Sequence, residues 1–130
     1  MEHYSHRRLT VALITSKIVG GGDGSAKLIT YAALVEADID PSPIELVEFA
    51  DRSVQVVGTF NGGTITIEGS NNGTDWVPLT DPQGNNLTFT AGKIEQIQEL
   101  TRYVRPRVTA GTGVSVNVFF VVRRASSLRT

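Results

Sequence analysis

The stretch from Val56 to Arg107 constrains the fold most, because short β-branched runs alternate there with glycine-asparagine turns around the chain's one tryptophan. In Thr64–Glu68 the pattern alternates, so Ile65 and Ile67 fall on one face of a strand and Thr64, Thr66 and Glu68 on the other. This predicts a strand buried on one face only. The residues from Gly69 to Gly73 tolerate positive φ, so the chain reverses before Trp76, which the pattern places over the apolar face. The segment specifies layered β structure and carries no reaction chemistry of its own.

A chain of 130 residues fits one domain and buries a real core without metal or crosslinks. Cysteine is absent, which removes disulfides, thiol catalysis and thiolate metal sites. The longest apolar runs, Val118–Val122 and Val11–Ile14, are far shorter than a membrane span, and the N-terminus is polar and charged where a signal peptide has an apolar core. The expectation is a soluble, unexported protein that engages no membrane.

The net charge of -1 argues against a nucleic-acid binder dominated by phosphate contacts. The charges are unevenly placed. Between Leu28 and Asp51 stand six acids (Glu36, Asp38, Asp40, Glu45, Glu48, Asp51) and no base, and from Leu100 onward six arginines (Arg102, Arg105, Arg107, Arg123, Arg124, Arg129) and no acid. Two arrangements satisfy this pattern. The segments lie on different surfaces as complementary patches for copies or a repeating partner, or they are neighbours whose charges neutralise each other within the fold.

The chain opens with a polar arm, residues 1–8, followed by Leu9–Val19, which alternates as a first strand. Gly20–Ser25 is a loop, and Lys27–Val35 admits a strand or a short helix. Asp40–Pro43 marks a turn. Strands are expected at Ile44–Phe49, Ser53–Phe60, Trp76–Leu79, Asn86–Thr90, Gln96–Leu100, Tyr103–Thr109 and Gly113–Arg123, the spacing of an all-β sandwich or jelly roll. No repeat or linker divides the chain. The expected organisation is a flexible arm over residues 1–8 and one β-sandwich domain over residues 9–130.

Motifs for chemistry are sparse. His3 and His6 have helical-turn spacing but lie in a polar tail with no third ligand nearby, so no metal site is assigned. With two histidines and no nucleophile elbow, a hydrolase triad has no basis. Gly20–Lys27 lacks the Gly-Lys-Ser/Thr ending of a phosphate loop. Glu36, Asp38 and Asp40 offer oxygens for calcium without the glycine and terminal glutamate of an EF-hand, and a solvated acidic edge is the competing reading. Glu68, Asp75, Glu95 and Glu99 allow carboxylate pairs on paper, with no separation fixed by sequence. Trp76, Tyr103 and Phe60 form either core and rim packing or a sugar-stacking platform. The expectation is a non-enzyme without cofactor.

The order of Val54–Phe60, Gly63–Trp76, Leu79–Gly84, Leu87–Thr90, Arg102–Arg107 and Gly111–Val118 resembles small structural proteins of tailed bacteriophages, of the capsid cement or decoration kind. The resemblance covers roughly the C-terminal two-thirds and lies in the order of the pieces. It implies a β-sandwich virion protein on the outer capsid surface, made in the host cytoplasm and stabilising the shell by bridging major capsid protein subunits. It also implies a small homo-oligomer, dimer or trimer, and no nucleic-acid partner. Under this reading His3, Tyr4, His6, Arg7 and Arg8 of the arm, with Arg123, Arg124 and Arg129, are the candidate contacts to acidic capsid surface. The alternative comes from Ile67–Trp76 followed by Arg102–Arg105, which is similar to elements of discoidin-like carbohydrate-binding jelly rolls. That resemblance implies a glycan ligand, with Trp76 and Tyr103 as stacking aromatics.

Overall fold

The computed structural model describes residues 12–20 and 22–125. Among them there is no helix, and all strand pairings are antiparallel, so the all-β expectation holds. One sheet has the order β1 (Leu13–Ile18), β2 (Ala26–Leu34), β10 (Ser115–Arg123), β4 (Asp51–Thr59), β8 (Lys93–Gln96). The second has the order β3 (Ile44–Glu45), β9 (Tyr103–Ala110), β5 (Thr64–Ser70), β6 (Val77–Pro78), and β7 (Thr88–Phe89) also pairs with β5.

Strict alternation builds the core. Val116, Val118, Phe120 and Val122 of β10 point inward beside Val54 and Val56 of β4, and they share one cluster with Ile65, Ile67, Val104 and Val108 of the second sheet. Each such side chain contributes roughly 1.5–3 kcal/mol relative to leaving it exposed. In β2 the parity slips at a bulge opposite Val116–Val118. Ala33 adopts φ 58 there and donates its amide to Asn117 Oδ1 at 2.9 Å, so Tyr31 and Leu34 both face the core. Gly58 is required by close approach: at φ 133 a Cβ would lie 2.7 Å from the Ser115 carbonyl oxygen and 2.8 Å from Val116 Cα.

The ambiguous Lys27–Val35 is strand β2. Four expected strands shorten or move for identifiable reasons. After β3, Leu46 takes the Arg102 carbonyl and Phe49 bonds back to Leu46, so both side chains turn inward in a tight turn rather than alternating. Gln96–Leu100 is not a strand. Pairing with β4 ends at Gln96, the Ile97 amide bonds to the Arg52 carbonyl, and Ile97 drops into the core. Trp76–Leu79 and Asn86–Thr90 reduce to two-residue strands whose backbone bonds meet across Leu79 and Leu87.

Beneath these turns lies Arg52, 3% exposed on the inner side of β4. Its guanidinium donates to the carbonyls of Phe49 and Leu46, both at 2.7 Å, and of Glu99 at 3.3 Å. No carboxylate lies within ion-pair distance among the described residues, and burial lowers its pKa. One buried cation thus pins two irregular segments to the end of the first sheet.

Candidate functional site

The outer face of the second sheet carries a charged cluster. Glu68 of β5 stands opposite Arg105 of β9, and Arg107 follows on the same side of β9. Arg105 Nε donates to Glu68 Oε1 at 2.9 Å, Arg107 Nη2 donates to Glu68 Oε2 at 2.9 Å, and Arg105 Nη1 reaches Asp40. Burial opposes ionisation of Glu68, but the hydrogen bonds from Arg107 and Arg105 outweigh it and hold the carboxyl below its ordinary range. Those same bonds push the Arg107 guanidinium up. Glu68 and Thr66 are consequently buried, contrary to the expectation that β5 is solvated on one face. Long arginine side chains and Trp76 supply the cover that alternation alone does not reveal.

Trp76 is half-buried and lies on this polar outer side rather than over the apolar core. The Arg105 guanidinium sits 4.1 Å from its ring centroid, and Tyr103 is tilted beside it at 6.5 Å. Arg102 stacks on Tyr103 at 4.8 Å while bonding to Glu45 at 2.7 Å. One indole face is therefore occupied by a cation that is itself tied to Glu68 and Asp40. Phe60 packs against the core cluster instead of joining these rings.

The uneven charge distribution resolves into neutralisation. The acidic and basic segments pair as Asp40–Arg105, Glu45–Arg102, Asp51–Arg123 and Glu48–Arg124, because β3 lies beside β9 and β4 beside β10. Arg123 is largely exposed at 3.2 Å from Asp51, and Arg124 lies 3.8 Å from Glu48. Both project at the end of the first sheet where β4 and β10 meet. His3, Tyr4, His6, Arg7, Arg8 and Arg129, and the arm over residues 1–8, lie outside the described residues.

Other sequence candidates do not converge. Glu36 accepts the amides of Gly113 and Val114, which lowers its pKa, whereas burial raises that of Asp38. Asp75 accepts from Asn72, Glu95 pairs with Lys93, and Glu99 holds the Thr80 hydroxyl and amide. Among the described residues no three acidic, histidine or cysteine side chains are grouped to hold a metal.

A surface that motif reading missed is the outer face of the first sheet. Outward positions of a solvated strand are ordinarily polar, yet Leu28, Phe119, Val121 and Ile94 line up across β2, β10, β4 and β8 beside Ser53 and Gln55. They line a groove of about 270 Å³, which adjoins one of about 470 Å³ lined by Asp51, Arg52, Gln96, Val121 and Arg123. The signal lay in the uninterrupted apolar run Val118–Val122, whose odd members face outward. Comparison with protein-family models, curated proteins and solved structures finds no match for this chain.

Proposed function

We propose that this chain is a structural protein of a bacteriophage virion, a cement or decoration subunit that binds the outer surface of the capsid and bridges neighbouring major capsid protein subunits. The observation that carries the reading is the outer face of the first sheet. Val121 is 45% exposed and Ile94 60% exposed, contiguous with Leu28 and Phe119, and the ionic pair Arg123–Asp51 borders them. An apolar centre with a polar rim on a broad, shallow surface suits a protein partner better than a small molecule. Arg123 and Arg124 stand at that rim, where exchange of Asp51 and Glu48 for acidic capsid groups costs little, since exposed pairs are weak. The two sheets sharing one core supply the rigid body that such a subunit needs, and the order of strand and turn pieces supports the same class. The reading assigns no catalytic role and no cofactor.

Co-sedimentation with matched capsids that lack the protein tests it. The expected result is saturable binding at a fixed ratio to capsid subunits, with added heat resistance of the particles, weakened by Val121→Asp. Absence of binding to intact shells overturns it, and a glycan array is then the next experiment, with Trp76→Ala as its control.

A further inference from the structure

The four edges of the two sheets are not equally protected. β3 has two residues preceded by Pro41 and Pro43, β6 has two residues ending in Pro78, and β8 carries the Lys93–Glu95 ion pair at 3.1 Å. These are the usual devices against strand addition. β1 has only one of them, the single charge of Lys17. It is six residues long, without proline, and Leu13 and Ile18 are 67% and 51% exposed.

The backbone bonds fix which groups are free. The Val19 amide donates to the Ala26 carbonyl at 3.0 Å, in the same register that pairs Lys17 with Leu28. Successive residues of a strand turn their N–H and C=O groups to opposite sides, so Leu13, Thr15 and Lys17 bond to β2 while Ile14, Ser16 and Ile18 point theirs out of the sheet. We infer that this edge binds a second copy of the chain, with two β1 strands antiparallel across a two-fold axis at Ser16.

That register is singled out by the chain itself. A two-fold axis perpendicular to the sheet pairs residues of equal parity, and only centring on Ser16 brings all three outward-bonding residues of each copy together: Ile14 with Ile18 of the second copy, Ser16 with Ser16, and Ile18 with Ile14. Every free N–H and C=O of these residues is then satisfied. On the outer face Lys17 meets Thr15 of the second copy, so the two like charges are only diagonal neighbours. On the inner face Ile14 lines the groove of about 250 Å³ between β1 and β3 together with Ile29, Ile44, Leu46 and Phe49, and in this register Ile18 of the second copy lies beside Ile14. The first sheets of the two copies become one ten-stranded sheet. This pairing does not depend on the capsid reading.

The chain contains no cysteine, so an introduced thiol reports position cleanly. Opposed residues of a hydrogen-bonded antiparallel pair have Cα atoms about 5.5 Å apart, within disulfide reach. In this register Ser16→Cys crosslinks to itself under mild oxidation, whereas Ile18→Cys, roughly 14 Å from its own symmetry mate, does not, and the Ile14→Cys/Ile18→Cys double variant does. Sedimentation equilibrium of the full wild-type chain is expected to show a dimer, and Ser16→Pro a folded monomer, since that amide points away from β2. A monomeric wild type overturns the inference, as does a dimer in which Ser16→Cys crosslinks no faster than Ile18→Cys.

Discussion

Replacing Glu68 by Gln tests the charged cluster most directly. The substitution keeps size and leaves the apolar core untouched, but removes the carboxylate that takes hydrogen bonds from Arg105 at 2.9 Å and Arg107 at 2.9 Å. Breaking a buried pair by removing one partner typically costs about 3–5 kcal/mol. Here the cost is smaller, because Arg105 keeps Asp40 and the Trp76 ring, and Arg107 is a third exposed and rehydrates. We expect a loss of about 2 kcal/mol near neutral pH, or roughly 6–10 °C in Tm for a chain of this size. The pH dependence supplies the sharper check. The carboxyl of Glu68 is depressed in the folded state, so its contribution is present above the ordinary glutamate value of 4.5 and is lost as pH falls through the folded value. Protonated Glu68 resembles Gln, and the two proteins should converge in acid. Urea titrations of both at about pH 7 and about pH 3 measure this difference with other carboxylates cancelling. A cost below about 0.5 kcal/mol at neutral pH, or one that does not shrink in acid, refutes the view that the ionised pair stabilises the fold.

Two further perturbations separate packing from polar pinning. Arg52→Met removes three guanidinium bonds to carbonyls and leaves those acceptors unpaired beneath the turns at 46–49 and 97–99, so urea denaturation should show a loss of about 3 kcal/mol. Amide exchange should accelerate first at Phe49 and Ile97. Trp76→Ala removes a half-buried ring and its contact with Arg105, so it should cost about 1–2 kcal/mol, short of the roughly 3–5 kcal/mol of a core tryptophan. A core-sized loss in calorimetry would contradict its position on the outer side.

Most of the strand content was legible from the residues. Alternation in Ser53–Phe60, Thr64–Glu68, Tyr103–Thr109 and Gly113–Arg123 corresponds to β4, β5, β9 and β10, because period-two patterning is a local consequence of burying one face. The segments at 44–49 and 96–100 read as strands because their apolar residues are dense. Their backbones are diverted by bonds to Arg102 and Arg52, partners more than forty residues away in both cases and invisible to any local pattern. The arginines and acids of the candidate site were likewise visible, but not whom they face.

By itself the amino-acid sequence determined an all-β chain free of thiol chemistry, with glycine in its turns and valine and isoleucine at the alternating core positions. Tertiary structure alone decided that the acidic and basic segments neutralise each other, that Trp76 covers a guanidinium, that apolar residues cross the outer face of the first sheet, and that β1 is left as an open edge among the described residues. The division has a physical cause. Local steric and hydrophobic preferences act between residues a few positions apart, whereas strand order sets which charges and edges meet, and that order is a property of the whole packed chain.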